Sequence, residues 1–112
     1  MNNTKYTEIV ESLYNSIEET LDHMMEQQNT PIDYENSSGV ITINCEDTET
    51  EVIISRQQAS QQIWVAAKSG GFHFDHNGKV WQCSKTNESL QNLLSRVCTE
   101  QSNNEIVFNG VD

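Results

Sequence analysis

Apolar residues recur at steps of three and four near both ends of the chain, a spacing that lines one face of an α-helix. The first such segment predicts a helix over residues 4–26, with Thr4 as its N-cap and an end before Pro31. A second helix is predicted over about residues 87–101, capped by Thr86 or Asn87. The apolar faces are formed by Tyr6, Ile9, Val10, Leu13, Tyr14, Ile17, Leu21 and Met24 in the first helix and by Leu90, Leu93, Leu94, Val97 and Cys98 in the second.

The segment between the two helices changes to alternating and β-branched patterns, which are typical of strands. Asn77–Gly78 is a two-residue hairpin signal, so neighbouring strands are expected to pair antiparallel. With a short extended stretch at residues 106–108, the pattern predicts an antiparallel sheet of five to seven strands. The main strand segments are residues 32–35, 39–45, 51–55, 62–67, 71–76 and 79–83.

The order helix, strands, helix predicts an α+β fold in a single domain over residues 1–112. In this two-layer α/β sandwich, the N- and C-terminal helices pack on one face of the antiparallel sheet. No further helix is left to cover the other face, so we expect that face to be at least partly exposed to solvent.

Charge is distributed very unevenly along the chain. Residues 1–51 hold 12 acidic side chains and one basic side chain, Lys5, whereas residues 52–112 hold five of each, so the net charge of −11 belongs to the first part. Such a concentration favours a cationic partner, either a metal ion or a basic protein surface. The same charge repels phosphate backbones, which argues against binding to nucleic acid.

Composition also narrows where the protein is expected to work. No stretch approaches the roughly 20 apolar residues that a membrane-spanning helix needs, so no membrane partner is expected. The N-terminal segment MNNTKYTEIV lacks the basic and apolar regions of a secretory leader. Cys45, Cys83 and Cys98 form no C-x-x-C pair and are interpreted as reduced thiols of the core. These features predict a cytoplasmic location.

The first helix carries a second stripe, made of carboxylates, opposite its apolar face. Six acidic side chains fall within about 100° of one another on the helical wheel, and no basic residue after Lys5 relieves them. Carboxylate oxygens are hard ligands that suit iron, Mg²⁺, Ca²⁺ and Mn²⁺, and His23 would add a nitrogen ligand at the edge of the stripe. The alternative is a solvated helix face that only keeps the protein in solution. The stripe comprises Glu8, Glu11, Glu18, Glu19, Asp22 and Glu26.

Further residues extend this surface into the predicted sheet. Asp33 and Glu35 alternate on the first strand and broaden the stripe into a ridge if that strand lies beside the first helix. In the segment QIWVAA, Gln62 and Trp64 share one face, which is the bare face of the sheet if the aliphatic residues point to the helices. An exposed Trp is a typical anchor for protein binding, and the alternative is a buried core residue.

Other polar clusters give weaker indications of chemistry. His73 and Asp75 project together from one strand, either as a minor metal site with His76 or as a hydrogen-bonded surface pair. The sequence has no G-x-S-x-G element, no Gly-rich phosphate loop and no Glu-x-x-His pair of the kind that builds a di-iron centre. It therefore predicts a protein that is not an enzyme.

Longer segments of the chain resemble the bacterial, CyaY-type branch of the frataxin family. The resemblance covers nearly the whole chain and is carried by IEETLDHM, GVITI, ISRQ and LQNLLS, and most specifically by QIWVAAKSGGFHFDHNGKVWQC. It implies two terminal helices on one face of an antiparallel sheet, which is the fold that the pattern predicts independently.

The resemblance also implies a function in iron–sulfur cluster assembly. Members of the family bind Fe²⁺ and Fe³⁺ weakly on an acidic ridge, and bacterial members are thought to dock through it on the cysteine desulfurase. By position, the ridge falls on Glu18, Glu19, Asp22, Asp33 and Glu35, and the exposed Trp with its preceding Gln falls on Trp64 and Gln62.

Taken together, the stripe and the resemblance define two predicted sets of residues. The predicted metal ligands are Glu18, Glu19, Asp22, His23 and Glu26. The predicted partner contacts are Glu11, Glu18, Glu19, Asp22, Asp33, Glu35, Gln62 and Trp64.

Two functions remain open from the sequence. The first is an iron-binding regulator or iron chaperone, with other divalent or trivalent cations able to replace iron and with the cysteine desulfurase and the iron–sulfur scaffold protein as partners. The second is an acidic protein adaptor whose metal binding is incidental. The resemblance also implies one catalytic alternative, weak oxidation of iron at the acidic surface, because some relatives are described as ferroxidases. In either case the chain is expected to be a monomer, with iron-dependent oligomers as the alternative.

Overall fold

A computed structural model describes residues 1–111 and shows two helices and a six-stranded antiparallel sheet. Helix α1 spans Asn3–Gln27 and helix α2 spans Leu90–Ser102. The strands follow one another across the sheet in sequence order, each paired antiparallel with the next. They are β1 Ile32–Ser37, β2 Val40–Cys45, β3 Thr50–Gln57, β4 Gln62–Ala67, β5 Gly70–His76 and β6 Trp81–Cys83. The predicted α+β sandwich is confirmed.

The core lies between the two helices and one face of the sheet. Every second residue of the central strands is buried there, as the alternation of strands β2 to β4 requires. Two tyrosines on the inner face of α1 fasten it to the sheet: the Tyr6 hydroxyl donates to the Gln62 carbonyl at 2.8 Å and the Tyr14 hydroxyl to the Gly39 carbonyl at 2.7 Å. The orientation of the carboxylates on the outer face of α1 is therefore fixed relative to the strands.

The three cysteines and one of the two tryptophans are buried in the core. Trp81 is fully buried, and it contacts the Tyr6 ring edge-on with centroids 6.1 Å apart. Cys45, Cys83 and Cys98 are buried free thiols, as predicted. The face of the sheet that the helices leave bare, called here the open face, carries Trp64 among its exposed residues.

Both helices begin at residues other than the predicted ones. Asn2, not Thr4, caps α1, because its side-chain oxygen accepts a hydrogen bond from the Lys5 amide at 2.7 Å. Helix α2 begins at Leu90, and Ser89 caps it by accepting from the Asn92 amide. Asn87 has a left-handed φ of 61°, which ends the preceding turn and cannot continue into a helix.

The last hairpin and the C-terminal segment also differ from the prediction. The loop between β5 and β6 holds four residues, 77–80, and the Asn77 side chain accepts from the amides of both Lys79 and Val80. Residues 106–108 add no strand to the sheet. Instead, Ile106 and Phe108 are buried as part of the core. Within residues 1–111, neither helix has the length and apolar character needed to cross a membrane.

Candidate functional site

The hydroxyl group of Tyr34 on the edge strand β1 contacts one carboxylate of α1, which has two further carboxylates one turn away on either side. The Tyr34 hydroxyl donates a 2.7 Å hydrogen bond to Asp22 Oδ1. The pKa of Tyr34 is raised by burial, by this hydrogen bond, and by the negative charges of Asp22, Glu18 and Glu26. Glu18 and Glu26 lie one helical turn on either side of Asp22. We call Glu18, Asp22 and Glu26 the β1 flank of the helix.

In the described part of the chain, no ion pair neutralises the β1 flank. Within residues 1–111, the ion pairs join Arg96 to Glu88 at 2.9 Å and to Glu100 at 3.7 Å, and neither reaches α1. Arg56 borders a shallow groove together with Glu11 and Glu18, but its guanidinium group lies over the Tyr6 ring, 5.7 Å from the centroid. The carboxylates of the flank therefore repel one another without an internal counterion.

Glu19 and His23 point about 100° away from Glu18 and Asp22, the residues that they follow, although Glu19 lies close to Glu26 on the helical wheel. They border a groove of about 460 Å³ between α1 and the segment that follows α2. We call it the tail groove. It is lined by Glu19, Thr20, His23, Met24, Gln28, Glu105, Val107 and Asn109. Among the predicted metal ligands, Asp22 thus contacts Tyr34, whereas Glu19 and His23 border the tail groove at the other edge of the acidic stripe.

The geometry bears on what kind of cation the surface accepts. Among residues 1–111, no group of three or more His, Cys, Asp or Glu side chains is arranged as a ready-made metal site. The carboxylates of the β1 flank are nevertheless hard oxygen ligands on flexible side chains at the protein surface. Such an arrangement suits a hydrated cation that keeps most of its waters and exchanges readily.

Asp33 and Glu35 occupy the outer side of the same edge strand. In β1 Ile32 is buried and Tyr34 is half-buried, whereas Asp33 and Glu35 between and after them are exposed. Since side chains alternate along a strand, the two acids point toward the open face and Tyr34 points toward α1. They lie at the same edge of the molecule as the β1 flank, but on the opposite side of the strand.

Trp64 stands on the open face in a defined side-chain cluster and is 37% exposed. Its indole N–H donates to Gln62 Oε1 at 2.9 Å, and Gln62 Nε2 donates to Asp75 Oδ1 at 3.2 Å. The His73 ring stacks on the indole with centroids 4.3 Å apart and planes 8° from parallel. The prediction of an exposed Trp beside Gln62 is confirmed. Because these contacts fix the indole before binding, it loses little conformational freedom when a partner covers it.

The pair predicted for His73 and Asp75 is not formed. Within the described part of the chain, no hydrogen bond joins the two side chains, since His73 stacks on Trp64 and Asp75 accepts from Gln62. Conversely, Tyr34, which holds Asp22, was not among the predicted site residues. Its alternation with the buried Ile32 was the signal that Tyr34 points toward α1.

Comparison with known proteins agrees with this architecture. Residues 1–104 match the family model of the frataxin-like domain. The iron–sulfur cluster assembly protein CyaY of Pseudomonas fluorescens is 38% identical over 101 residues, covering 88% of this chain and 91% of that protein. CyaY of Vibrio vulnificus is 36% identical over 106 residues, covering 95% of this chain and 97% of that protein.

Solved structures show the same fold. The frataxin of Psychromonas ingrahamii superposes with a TM-score of 0.84 at 28% identity, covering 97% of this chain and 99% of that one. A trimeric frataxin of the yeast Saccharomyces cerevisiae, described as complexed with ferrous iron, gives a TM-score of 0.72 at 23% identity over 85% of this chain and 86% of that one. On the family model and the curated relatives, this chain belongs to the frataxin family.

Proposed function

We propose that the protein binds iron weakly on the β1 flank and delivers or withholds it during iron–sulfur cluster assembly. The observation that carries the proposal is the row of three carboxylates on one side of α1, anchored by the Asp22–Tyr34 hydrogen bond, with no ion-pair partner among residues 1–111. Hard oxygen ligands and uncompensated charge favour Fe²⁺ and Fe³⁺, and other divalent or trivalent cations compete for the same oxygens. The curated relatives are named for iron–sulfur cluster assembly, which supports iron as the cargo.

The proposal includes two protein partners, the cysteine desulfurase and the scaffold protein. The acidic residues on both sides of β1 offer a basic partner surface a broad complementary area. The cluster around Trp64 offers a second, aromatic contact on the open face. Reduced buried cysteines support the cytoplasm as the compartment. The working unit is proposed to be a monomer, with iron-dependent oligomers as the alternative that the trimeric yeast relative suggests.

A metal titration with residue-level readout tests iron binding. Fe²⁺ under argon, or Co²⁺, is added to ¹⁵N-labelled protein while amide NMR signals are followed. We expect saturable changes in residues 18–26 and at Tyr34, and much smaller changes elsewhere. The variant Glu18→Gln/Glu26→Gln keeps the Asp22–Tyr34 hydrogen bond and should bind the metal several-fold more weakly.

A matched control separates site binding from general attraction to an acidic protein. Glu49→Gln/Glu51→Gln also removes two charges, but outside the β1 flank, and should leave the affinity for the metal nearly unchanged. Equal weakening in both double variants, or changes spread evenly over the chain, would contradict the proposal.

The second candidate function is that of an acidic adaptor, favoured by the pre-organised Trp64 cluster. Binding to purified cysteine desulfurase, measured with and without iron and at low and high salt, discriminates between the two. Loss of binding in Glu18→Lys/Asp22→Lys with no dependence on iron supports the adaptor. Binding that requires iron supports the iron carrier.

We also propose that the protein is not a dedicated enzyme. The carboxylates of the β1 flank lie on a surface open to water, whereas the ligands of a di-iron centre are enclosed in a bundle core. Any acceleration of Fe²⁺ oxidation should therefore survive Glu18→Asp, which preserves charge, and fall in Glu18→Gln. Loss of oxidation in both variants would indicate a defined catalytic geometry.

A further inference from the structure

The segment after α2, residues 104–111, is held firmly against that helix. Three side chains spaced one turn apart on α2 accept hydrogen bonds from its backbone: Thr99 Oγ1 from Ile106 at 2.9 Å, Ser95 Oγ from Phe108 at 2.9 Å, and Gln91 Oε1 from Val111 at 3.0 Å. These bonds fix the extended backbone as a partner strand would. Its side chains are therefore presented in a defined row.

Alternate side chains of this segment have opposite environments. Ile106, Phe108 and Val111 are buried, whereas Glu105, Val107 and Asn109 point outward and line the tail groove. Val107 is 50% exposed, and within residues 1–111 the other large exposed hydrophobic residues are Met1 and Trp64. Val107 therefore presents an apolar side chain to solvent on a backbone that the bonds to α2 hold in place.

The tail groove combines this apolar residue with uncompensated negative charge. Glu105 and Glu19 supply two carboxylates, and Val107 supplies the exposed apolar side chain, since Met24 in the lining is only 4% exposed. The lining contains no lysine or arginine. Arg96, the basic residue of the adjoining groove on α2, forms its ion pairs with Glu88 and Glu100, and none is formed with Glu105 among the described residues.

We propose that the tail groove is a docking site for a protein segment that presents a lysine or arginine next to an aliphatic side chain. The aliphatic side chain covers Val107, and the long stem of the basic residue lies along the groove while its charged end reaches Glu105 or Glu19. This surface goes beyond the proposed iron function, because Glu105 and Val107 lie outside the β1 flank. The aliphatic side chain of Val107 has no atom that could bind a metal ion.

Peptide titrations on the ¹⁵N-labelled full chain test the proposal. The probe is acetyl-GLRLRG-amide, and acetyl-GSRSRG-amide has the same charge without the aliphatic side chains. We expect saturable NMR changes in residues 19–24 and 105–109 with the leucine peptide, and binding about fivefold weaker with the serine peptide. Val107→Ser should weaken binding of the leucine peptide by about fivefold, and Glu105→Gln by about threefold.

Controls make each result decisive. Glu49→Gln, which removes one charge elsewhere, should leave peptide binding unchanged, and thermal melting must show that Val107→Ser is folded. Equal affinity for the serine peptide or for spermidine overturns the proposal, because only charge would then matter. Changes confined to the β1 flank, or loss of peptide binding in Glu18→Gln/Glu26→Gln alone, also overturn it.

The outcome is independent of iron binding. Val107→Ser and Glu105→Gln should bind Co²⁺ on the β1 flank as the wild type does. Failure of the metal titration together with intact peptide binding would therefore defeat only the proposed function. The reverse result would defeat only the docking site.

Discussion

Tyr34 connects the acidic helix to the edge of the sheet through a single hydrogen bond. Its hydroxyl holds Oδ1 of Asp22, and that carboxylate is thereby oriented between Glu18 and Glu26, one turn away on either side. The link joins residues 12 positions apart that belong to two different elements. One neutral side chain thus sets the position of the central carboxylate of the flank.

Removal of the Tyr34 hydroxyl should lower the stability of the fold by a small but measurable amount. Tyr34→Phe keeps the ring and loses the hydrogen bond, so we expect the free energy of unfolding to fall by about 1 kcal/mol. Urea denaturation of Tyr34→Phe, Asp22→Asn and the double variant forms a double-mutant cycle. Strictly additive effects would show that the two side chains do not interact in solution.

The raised pKa of Tyr34 predicts how stability changes in alkali. In the unfolded chain this tyrosine ionises near the ordinary tyrosine pKa of 10.0, whereas in the folded protein it stays protonated to higher pH, mainly because of burial and the bond to Asp22. Stability from this group is therefore complete below pH 10 and is lost as the pH rises from 10 toward the folded pKa. Urea denaturation at about pH 9 and about pH 10.5 should show a smaller loss in Tyr34→Phe than in the wild type, although Tyr6 and Tyr14 also have raised pKa values. An identical loss in both proteins would contradict this assignment.

The sequence predicted the positions of individual carboxylates relative to one another on the helix, but not their contacts with the rest of the fold. The periodicity put Glu18, Asp22 and Glu26 on one stripe, and the structure shows that Asp22 in its middle accepts a hydrogen bond from Tyr34. It also put Glu19 and His23 at the edge of that stripe. Which other element lies against each side of the helix depends on the fold. The tail groove beside Glu19 is formed by residues more than 80 positions away, which no local pattern indicates.

The C-terminal segment behaves as an extra layer of the core although it forms no regular element. The side chains of Gln91, Ser95 and Thr99 on α2 replace the backbone partners that a strand would have. Phe108 fills the space beneath them and is fully buried. The segment therefore contributes to stability through packing and through satisfied backbone amides.

Truncation of Phe108 should therefore destabilise the whole fold. We expect Phe108→Ala to lower the free energy of unfolding by about 3–5 kcal/mol, because it leaves a cavity in the core. Val107→Ala, at the neighbouring exposed position, should change it by less than about 0.5 kcal/mol. Urea denaturation followed by circular dichroism measures both. Similar small effects at the two positions would show that the segment detaches in solution.

The type and order of the elements followed from periodicity, whereas their ends depended on local contacts. Asn77–Gly78 indicated a hairpin, but the Asn77 side chain binds two amides and widens the loop to residues 77–80. Several residues able to cap a helix precede α2, so the sequence alone does not distinguish between them. In the structure Asn87 is left-handed, and the helix begins after Ser89, which is the cap. The C-terminal segment was expected as an extended stretch. The side chains that accept hydrogen bonds from its backbone amides lie on α2, so its own sequence does not indicate them.

At the scale of the whole molecule, the ion pairs of residues 1–111 leave the excess negative charge of residues 1–51 unbalanced. The ion pairs of residues 1–111 all involve Arg96, near α2, and none of them reaches α1 or β1. Repulsion within this region opposes folding and at the same time attracts cations. The same charges thus link stability to the ionic composition of the solution.

Salt should therefore stabilise the protein, and the β1 flank should account for much of the effect. Like charges at i,i+4 spacing cost a few tenths of a kcal/mol each, so screening the pairs Glu18–Asp22 and Asp22–Glu26 with their neighbours restores about 1 kcal/mol, or about 4–8 °C in Tm for a domain of this size. Thermal unfolding in about 20 and about 300 mM NaCl measures the shift. It should be clearly smaller in Glu18→Gln/Glu26→Gln than in Glu49→Gln/Glu51→Gln, which removes the same charge elsewhere. A Tm independent of salt, or an equal response in both variants, would mean that repulsion between the carboxylates of the β1 flank does not destabilise the protein.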